Sequence, residues 1–358
     1  MKKNIFEGAN LSDVNFKYSK SSSFYLDSKK DYFQNNDKLL FNELKRNELY
    51  TKQPERIFCK LCETPLTKKV DFQSHGVGYK FCENCSHLNG KFDDTKEFSE
   101  KIYIENDGAQ YNNYISQNWT KKILEIYSPK VDFLIDVFGS NNFEILDVGC
   151  GCGYFVYASI EKNIRALGLD VNKSMIDFGN TLIYEKFNNN PLALVDEHGF
   201  FEAIINSNAD IISAIGVIEH LREPRKLFDA FKKSNARYIY YSVPMLSFSS
   251  VLENIFKEIY PRQLAGGHTH LFTEASLQKM QEIMGVKSIA EWRFGTDAID
   301  LYRHSITMLE KNNASQKLID LIQSELGSSL DEIQSIFDRN HFCSEIHCIA
   351  EKSKLTLR

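Results

Sequence analysis

The stretch Glu144-Ile-Leu-Asp-Val-Gly-Cys-Gly-Cys-Gly-Tyr154 constrains this chain more than any other. Ile145 to Val148 reads as a short buried strand carrying one acid, Asp147. Gly149, Gly151 and Gly153 follow at alternate positions, and an apolar helical run, Tyr154 to Ile160, comes next. Strand, glycine turn and helix open a nucleotide-binding βαβ unit. Glycine serves there because the chain must turn sharply and let a ligand approach bare backbone. The dinucleotide fingerprint G-x-G-x-x-G does not fit. The third glycine comes one residue early, and Tyr154 stands where that pattern wants a small residue.

Leu146-Asp-Val-Gly-Cys-Gly-Cys-Gly153 resembles motif I of the class I S-adenosylmethionine-dependent methyltransferases, L-D-x-G-x-G-x-G. The resemblance implies an α/β fold: a doubly wound, Rossmann-like, seven-stranded sheet with the methyl donor over the glycine turn. The order of elements agrees, since strands and helices alternate from residue 144 onward. Strands are expected at Glu144 to Val148, Arg165 to Asp170, Pro191 to Val195, Asp210 to Ile215, Arg237 to Val243, Val286 to Phe294 and Phe342 to Ala350. Helical insertions are expected near 249–260 and 301–338, within a catalytic domain spanning 141–358.

Asp170 ends the second strand, 17 residues after Gly153, where a carboxylate can accept both ribose hydroxyls of an adenosine. Its competing role is a helix N-cap. Asp147 has a counterpart in the family that orders the glycine loop or lies near the donor's methionine portion. Asp196 and Glu197 follow the third strand and are candidates to hold the adenine amino group. Gly216-Val-Ile-Glu-His-Leu-Arg-Glu-Pro224 resembles the E-H-L-x-x-P stretch of small-molecule methyltransferases. It brings Glu219 and His220 to the carboxyl end of the sheet. Gly266-Gly-His-Thr-His-Leu-Phe-Thr-Glu-Ala-Ser-Leu277 resembles a second segment of the same group. Its His268 and His270 are candidates for substrate contact or general base, because a free imidazole titrates near neutrality. The donor set is therefore Asp147, Gly149, Gly151, Gly153, Asp170, Asp196 and Glu219, and the catalytic candidates are His220, His268 and His270.

Ahead of this domain stand Cys59-Lys-Leu-Cys62 and Cys82-Glu-Asn-Cys85. Two C-x2-C knuckles can face each other and surround one tetrahedral zinc, and four thiolates leave no open position, so the ion would be structural. His75 and His87 are read as surface residues beside this zinc-ribbon-like module, 55–91. Residues 1–54 read as a polar extension, partly helical or disordered, with Leu39, Leu40, Leu44 and Leu49 as the apolar members of a short helix. Residues 92–140 read as helices covering the donor pocket. Tyr111 and Tyr114 there either pack or line that pocket. The chain's last histidines and cysteines, His341, Cys343, His347 and Cys348, do not form a second metal site, because strand alternation separates them.

Composition excludes several classes. The chain has 358 residues, 42% apolar and 25% charged, with a net charge of -5. That balance makes nucleic acid an unfavoured partner. The N-terminus shows no secretory h-region and no run has membrane-spanning length, so a cytoplasmic enzyme without a membrane partner is expected. The resembled group is often found in surface-polysaccharide and sugar biosynthesis, which implies a small-molecule acceptor such as a sugar or nucleotide-sugar. A zinc-bearing RNA methyltransferase, a nicotinamide-dependent oxidoreductase and a non-catalytic zinc scaffold stay open. Acceptor atom and oligomeric state are not readable.

Overall fold

The computed structural model describes residues 14–28, 30–103, 118–264 and 268–353. Tyr111, Tyr114, Gly266 and Gly267 lie outside the described residues. Its strands are β1 (Asn15–Tyr18), β2 (Phe72–Ser74), β3 (Val77–Phe81), β4 (Leu88–Gly90), β5 (Glu144–Val148), β6 (Arg165–Asp170), β7 (Leu192–Leu194), β8 (Ile211–Ile215), β9 (Tyr238–Pro244), β10 (His270–Leu271), β11 (Val286–Phe294) and β12 (Glu345–Lys352). Eight of them form one sheet in the order β1-β11-β12-β9-β8-β5-β6-β7. β5 to β9 pair in parallel, and β12 runs antiparallel between β9 and β11. β5 has β6 on one side and β8 on the other, so the winding reverses at its carboxyl end. A crevice opens at such a point in an open parallel sheet.

Side-chain alternation divides the core between the two faces. On one face Leu146, Val148, Ile212, Ala214, Tyr241 and Ile346 join a cluster closed by the helices Glu197–Ile205, Pro224–Lys233 and Glu274–Met284. On the other, Ile145, Ile211, Tyr240, Trp292 and Ile349 join a cluster closed by Ser128–Phe138, Tyr154–Glu161 and Lys173–Phe187. Both faces are covered, which is why these strands read as near-continuous apolar runs. His347 and Cys348 point to opposite faces. His347 meets Tyr240, and Cys348 meets Ser288.

Three expectations need correction. The sheet has an eighth strand: β1, from the stretch read as a polar extension, pairs in parallel with β11. It is anchored by Lys17, whose ammonium lies 4.4 Å from the Trp292 ring centre, and by the Trp292 indole N–H donating to Ser19 O at 3.0 Å. In the helix Asn36–Tyr50 the buried residues are Asn36, Glu43, Asn47 and Tyr50, while Leu44 is exposed. The inward face is polar because it supplies hydrogen bonds to neighbouring loops: Asn36 to Glu258 O and Asn47 to His75 O, each at 2.9 Å. His75 and His87 are buried, not at the surface. His75 Nε2 meets Ile259 O at 3.0 Å, and His87 Nε2 meets His270 Nδ1 at 2.8 Å.

The cysteine-bearing segment is also not a separate bead. β10 completes its small sheet, order β10-β4-β3-β2, pairing His270 with Asn89 and Leu271 with Leu88. Cys59, Leu61, Cys82 and Cys85 pack into the same apolar cluster as Phe228, Phe272 and Leu277. The insertions near the carboxyl end are the helices Phe248–Ile255, Asp297–Lys311, Gln316–Ser328 and Leu330–Arg339. The buried Asp300 accepts from Arg262 at 2.6 Å and ties them to the crevice's outer wall.

Candidate active site

The glycine turn leaves β5 with all three glycines at positive φ: Gly149 at 70°, Gly151 at 55° and Gly153 at 67°. At Gly153 an added Cβ would sit 2.5 Å from Leu192 Cδ1, so that position is closed by packing. At Gly151 nothing lies closer than Met175 Sδ at 3.7 Å, so there the bare backbone faces open space. The turn is tied to the next strand, because Gly149 N and Cys150 N both donate to Leu169 O at 2.8 and 3.0 Å.

Asp170 stands at that junction. Its Oδ2 accepts from Gly151 N and its Oδ1 from Asn172 N, both at 2.8 Å. The following helix has its own cap: Asn172 Oδ1 accepts from Met175 N at 3.1 Å. Asp170 is therefore not the N-cap, and its carboxylate is held rigidly at the rim of the crevice. Burial raises its pKa, and the backbone N–H groups of Asn172 and Gly151 oppose that rise. Asp196 has a different occupation. It caps the helix Glu197–Ile205 through a 2.7 Å bond from Gly199 N, and it lines the crevice as well.

Deeper in, Asp147 is 4% exposed and accepts from Ser213 Oγ at 2.7 Å. Burial pushes its carboxyl up to about 7, against the Ser213 bond and the charge of Lys130. Glu219 lies in a single helical turn after β8, Ile218–His220, and Oε2 has no hydrogen-bond partner among the described residues. Burial raises its carboxyl to about 8.

The crevice is a cavity of about 1620 Å³. Asp147, Gly149, Gly151 and Asp170 line its inner end, and Glu43, Arg46, Ser99, Tyr260 and Arg262 line the outer. His220 and His268 both line it, with rings stacked 5.5 Å apart. Burial lowers His268 to about 4, with Arg262 adding to the effect. His270 does not line the cavity. It is 1% exposed in β10, facing His87, because the strand that carries it is needed to close the small sheet. The wall residues Arg46, Tyr260 and Arg262 escaped the sequence reading. Arg262 is held there by Asp300, and Tyr260 by its backbone N–H to Asn36 Oδ1, partners far along the chain.

A family model described as a methyltransferase domain matches residues 103–290, more than half of the chain. The chain belongs to this methyltransferase family. It is an S-adenosylmethionine-dependent methyltransferase, and the matched stretch contains the glycine turn, Asp170, His220 and His268. Among curated proteins none matches it. Solved structures similar to the methyltransferase include an S-adenosylmethionine-dependent methyltransferase from Archaeoglobus fulgidus. That chain is 18% identical, with 66% of this chain and 100% of that one covered and a TM-score of 0.40. Another is the magnesium protoporphyrin IX methyltransferase of Synechocystis PCC 6803 with bound S-adenosylhomocysteine, 13% identical, covering 66% and 89%, TM-score 0.43. These likenesses are distant. Among the described residues no helix of the methyltransferase is long and apolar enough to cross a membrane.

The four cysteines of its two C-x2-C pairs, Cys59, Cys62, Cys82 and Cys85, converge. All four Sγ atoms lie within 4.8 Å of one another, with Cys59 to Cys85 at 3.7 Å and Cys62 to Cys82 at 3.5 Å. Zinc–sulfur bonds of about 2.3 Å in a tetrahedron put sulfurs roughly 3.8 Å apart, so the donor set fits one such ion. The knuckles are alike: Glu63 N bonds Cys59 O and Ser86 N bonds Cys82 O, and Glu63 and Ser86 take φ of 59° and 56°. Asn89 Nδ2 donates to Cys59 Sγ at 3.6 Å, as a thiolate would require.

Proposed function

We propose that the methyltransferase acts on a small hydroxylated acceptor, a sugar or nucleotide-sugar of the kind that builds surface polysaccharides, and that the four cysteines hold a structural zinc. The observation carrying this is the cavity itself. At about 1620 Å³ it exceeds the roughly 300–1,000 Å³ of a single-ligand pocket. Its end away from the glycine turn is lined by hydrogen-bonding side chains, Glu43, Arg46, Ser99, Tyr260, Arg262 and His268.

The donor supplies an electrophilic methyl on sulfonium sulfur. Around it, the open backbone at Gly151 admits the ligand, and Asp170, fixed by two N–H bonds, would accept the ribose hydroxyls. Asp147 would lie under the donor, and Glu219 is buried behind the lining residues Val217 and His220. The protein's main work is then to align acceptor with methyl in the half-closed crevice and to keep water out. Where the acceptor must lose a proton, His220 is the better candidate. His268, held near 4 by burial, is a weak base and serves by hydrogen bonding.

The RNA reading is disfavoured by one observation. Of the basic residues in the cysteine segment, Arg56 and Lys60 are buried on Asp94, and Lys80 is buried on Glu55. They neutralise the fold, and only Lys68 and Lys69 of the segment's basic residues stand exposed to meet phosphate. Incubation with labelled S-adenosylmethionine and a panel of nucleotide-sugars, with RNA in parallel, tests the proposal. Methylated nucleotide-sugar supports it, and label entering RNA alone refutes it.

A further inference from the structure

Residues 260–264 pass along the outer wall of the cavity as neither strand nor helix. Buried side chains from three directions nevertheless hold their backbone. Tyr260 N donates to Asn36 Oδ1 at 2.9 Å, and Arg303 Nη2 donates to Tyr260 O at 3.0 Å. The Glu253 carboxylate accepts from Arg262 N, Gln263 N and Leu264 N at 2.6, 2.9 and 2.7 Å. Asn36, Glu253 and Arg303 are all buried. Peptide groups with no ladder or helix to join are thus met by fixed side chains, and the loop becomes a rigid platform for whatever it carries.

It carries Arg262, whose guanidinium is fixed as well. Nε lies 3.1 Å from each Asp300 oxygen, Nη2 lies 2.6 Å from Oδ2, and Nη2 also donates to Thr296 Oγ1. Nη1 makes no hydrogen bond with a described residue. Arg262 lines the cavity and keeps 15% of its side chain exposed, whereas Asp300 and Glu253 do not line it. The acids therefore stand behind the arginine and its open edge stands in front. The remaining lysines and arginines of the lining each pair with an acid that also lines the cavity: Arg46 with Glu43, Lys96 with Glu100, Arg222 with Glu197 and Lys226 with Glu223. Among the described residues, Arg262 is the one lining cation whose acid lies outside the cavity. Tyr260, two residues earlier, lines the cavity too, and its hydroxyl makes no hydrogen bond with a described residue.

We propose that Arg262 anchors an oxyanion of the acceptor, a carboxylate or a phosphate, through its Nη1 edge, and that the Tyr260 hydroxyl meets a hydroxyl of the same molecule. A guanidinium is permanently charged and its planar fork matches such a group. The Asp300 clamp holds it in place beforehand, so little side-chain freedom is lost on binding. The acceptor class is thereby narrowed to an acidic or phosphorylated hydroxyl compound. This rests on the reading of the cavity as a site for a small hydroxylated acceptor.

The test is calorimetry on the full chain saturated with S-adenosylhomocysteine, titrated with glucose, glucuronate, glucose 6-phosphate and UDP-glucose. At least one of the anionic sugars should bind about tenfold tighter than glucose, and which one does so tells carboxylate from phosphate. Arg262→Gln should erase most of that advantage and leave S-adenosylhomocysteine affinity within about threefold. Arg262→Lys should erase it too, because Asp300 takes up the single ammonium and no second N–H edge remains for the ligand. R262K keeps a cation on the buried Asp300, so it carries the test where R262Q does not fold. Glucose binding as tightly as the anionic sugars overturns the anchor and leaves the hydroxylated-acceptor reading standing. An advantage that survives in R262K also overturns the anchor. Failure of every sugar to bind defeats the hydroxylated-acceptor reading and the anchor with it. A loss of S-adenosylhomocysteine affinity of about tenfold in R262K would place the donor's own carboxylate on Arg262 and overturn the assignment as well.

Discussion

Asn89 and His270 sit opposite each other in one antiparallel ladder, joining the cysteine segment to the strand just beyond His268. Asn89 also donates to Cys59 Sγ, and His87 bonds His270 across the same seam. A metal at the four thiols would therefore support the wall of the crevice as well as its own knuckles. Mass spectrometry should find one zinc per chain. Cys82→Ser should cost more than about 4 kcal/mol, in one cooperative transition, because loss of a structural metal removes folding energy outright. Donor affinity should fall with it. A C82S protein that melts in two steps, with the catalytic part unchanged, would show the seam to be energetically silent.

Two glycines of the turn should respond differently to the same change. Gly153→Ala meets both a positive φ of 67° and Leu192 Cδ1 at 2.5 Å, so a loss of about 2–4 kcal/mol in urea unfolding is expected. Gly151→Ala carries only the backbone strain, about 1 kcal/mol, since its nearest neighbour is Met175 Sδ at 3.7 Å. Its cost should appear in S-adenosylhomocysteine affinity, because the methyl group enters the space left for the ligand. Equal stability losses with unchanged affinity in G151A would contradict the placement of the donor over that residue.

Asp170 was legible from its distance to the glycines, and the structure separates its two readings by giving the cap to Asn172. The seven strands of the catalytic sheet were legible because buried parallel strands are apolar throughout. β1 was not, since Asn15-Phe-Lys-Tyr18 earns its place through Trp292, far along the chain. The helix Asn36–Tyr50 misled for a related reason: its buried residues are polar, and no apolar period reports a face that bonds to loops. His270 shares a motif with His268, yet the strand that begins at His270 turns it toward His87 while His268 lines the cavity.

For Asp170 the expected outcome is on binding and, to a lesser degree, on folding. Asp170→Asn keeps the shape but loses the charge that strengthens bonds to ribose hydroxyls, and its NH2 meets one of the two backbone N–H groups that the carboxylate accepts, at a stability cost of about 1–3 kcal/mol. Calorimetry with S-adenosylhomocysteine should show affinity lower by about 10- to 100-fold, the worth of one or two charge-assisted hydrogen bonds. The circular dichroism spectrum should not change. Wild-type affinity in D170N would remove this residue from the donor site.

Glu219 gives a prediction in pH. Its carboxyl is raised to about 8 in the folded protein by burial, with Glu345 adding to the rise, against an ordinary value of 4.5. Between those two values the unfolded chain releases the proton and the folded chain keeps it. Stability is then lost as pH climbs from about 4.5 toward 8. Asp147, raised to about 7, acts in the same direction, and His268, lowered to about 4, acts in the opposite one. Comparing Glu219→Gln with wild type at each pH cancels those other groups. The glutamine cannot ionise, so E219Q should gain stability over wild type on going from pH 5 to pH 8, by about 1–3 kcal/mol in urea unfolding. An increment that stays the same at both pH values would mean that Glu219 ionises freely in the folded state, through solvent or a partner that reaches Oε2.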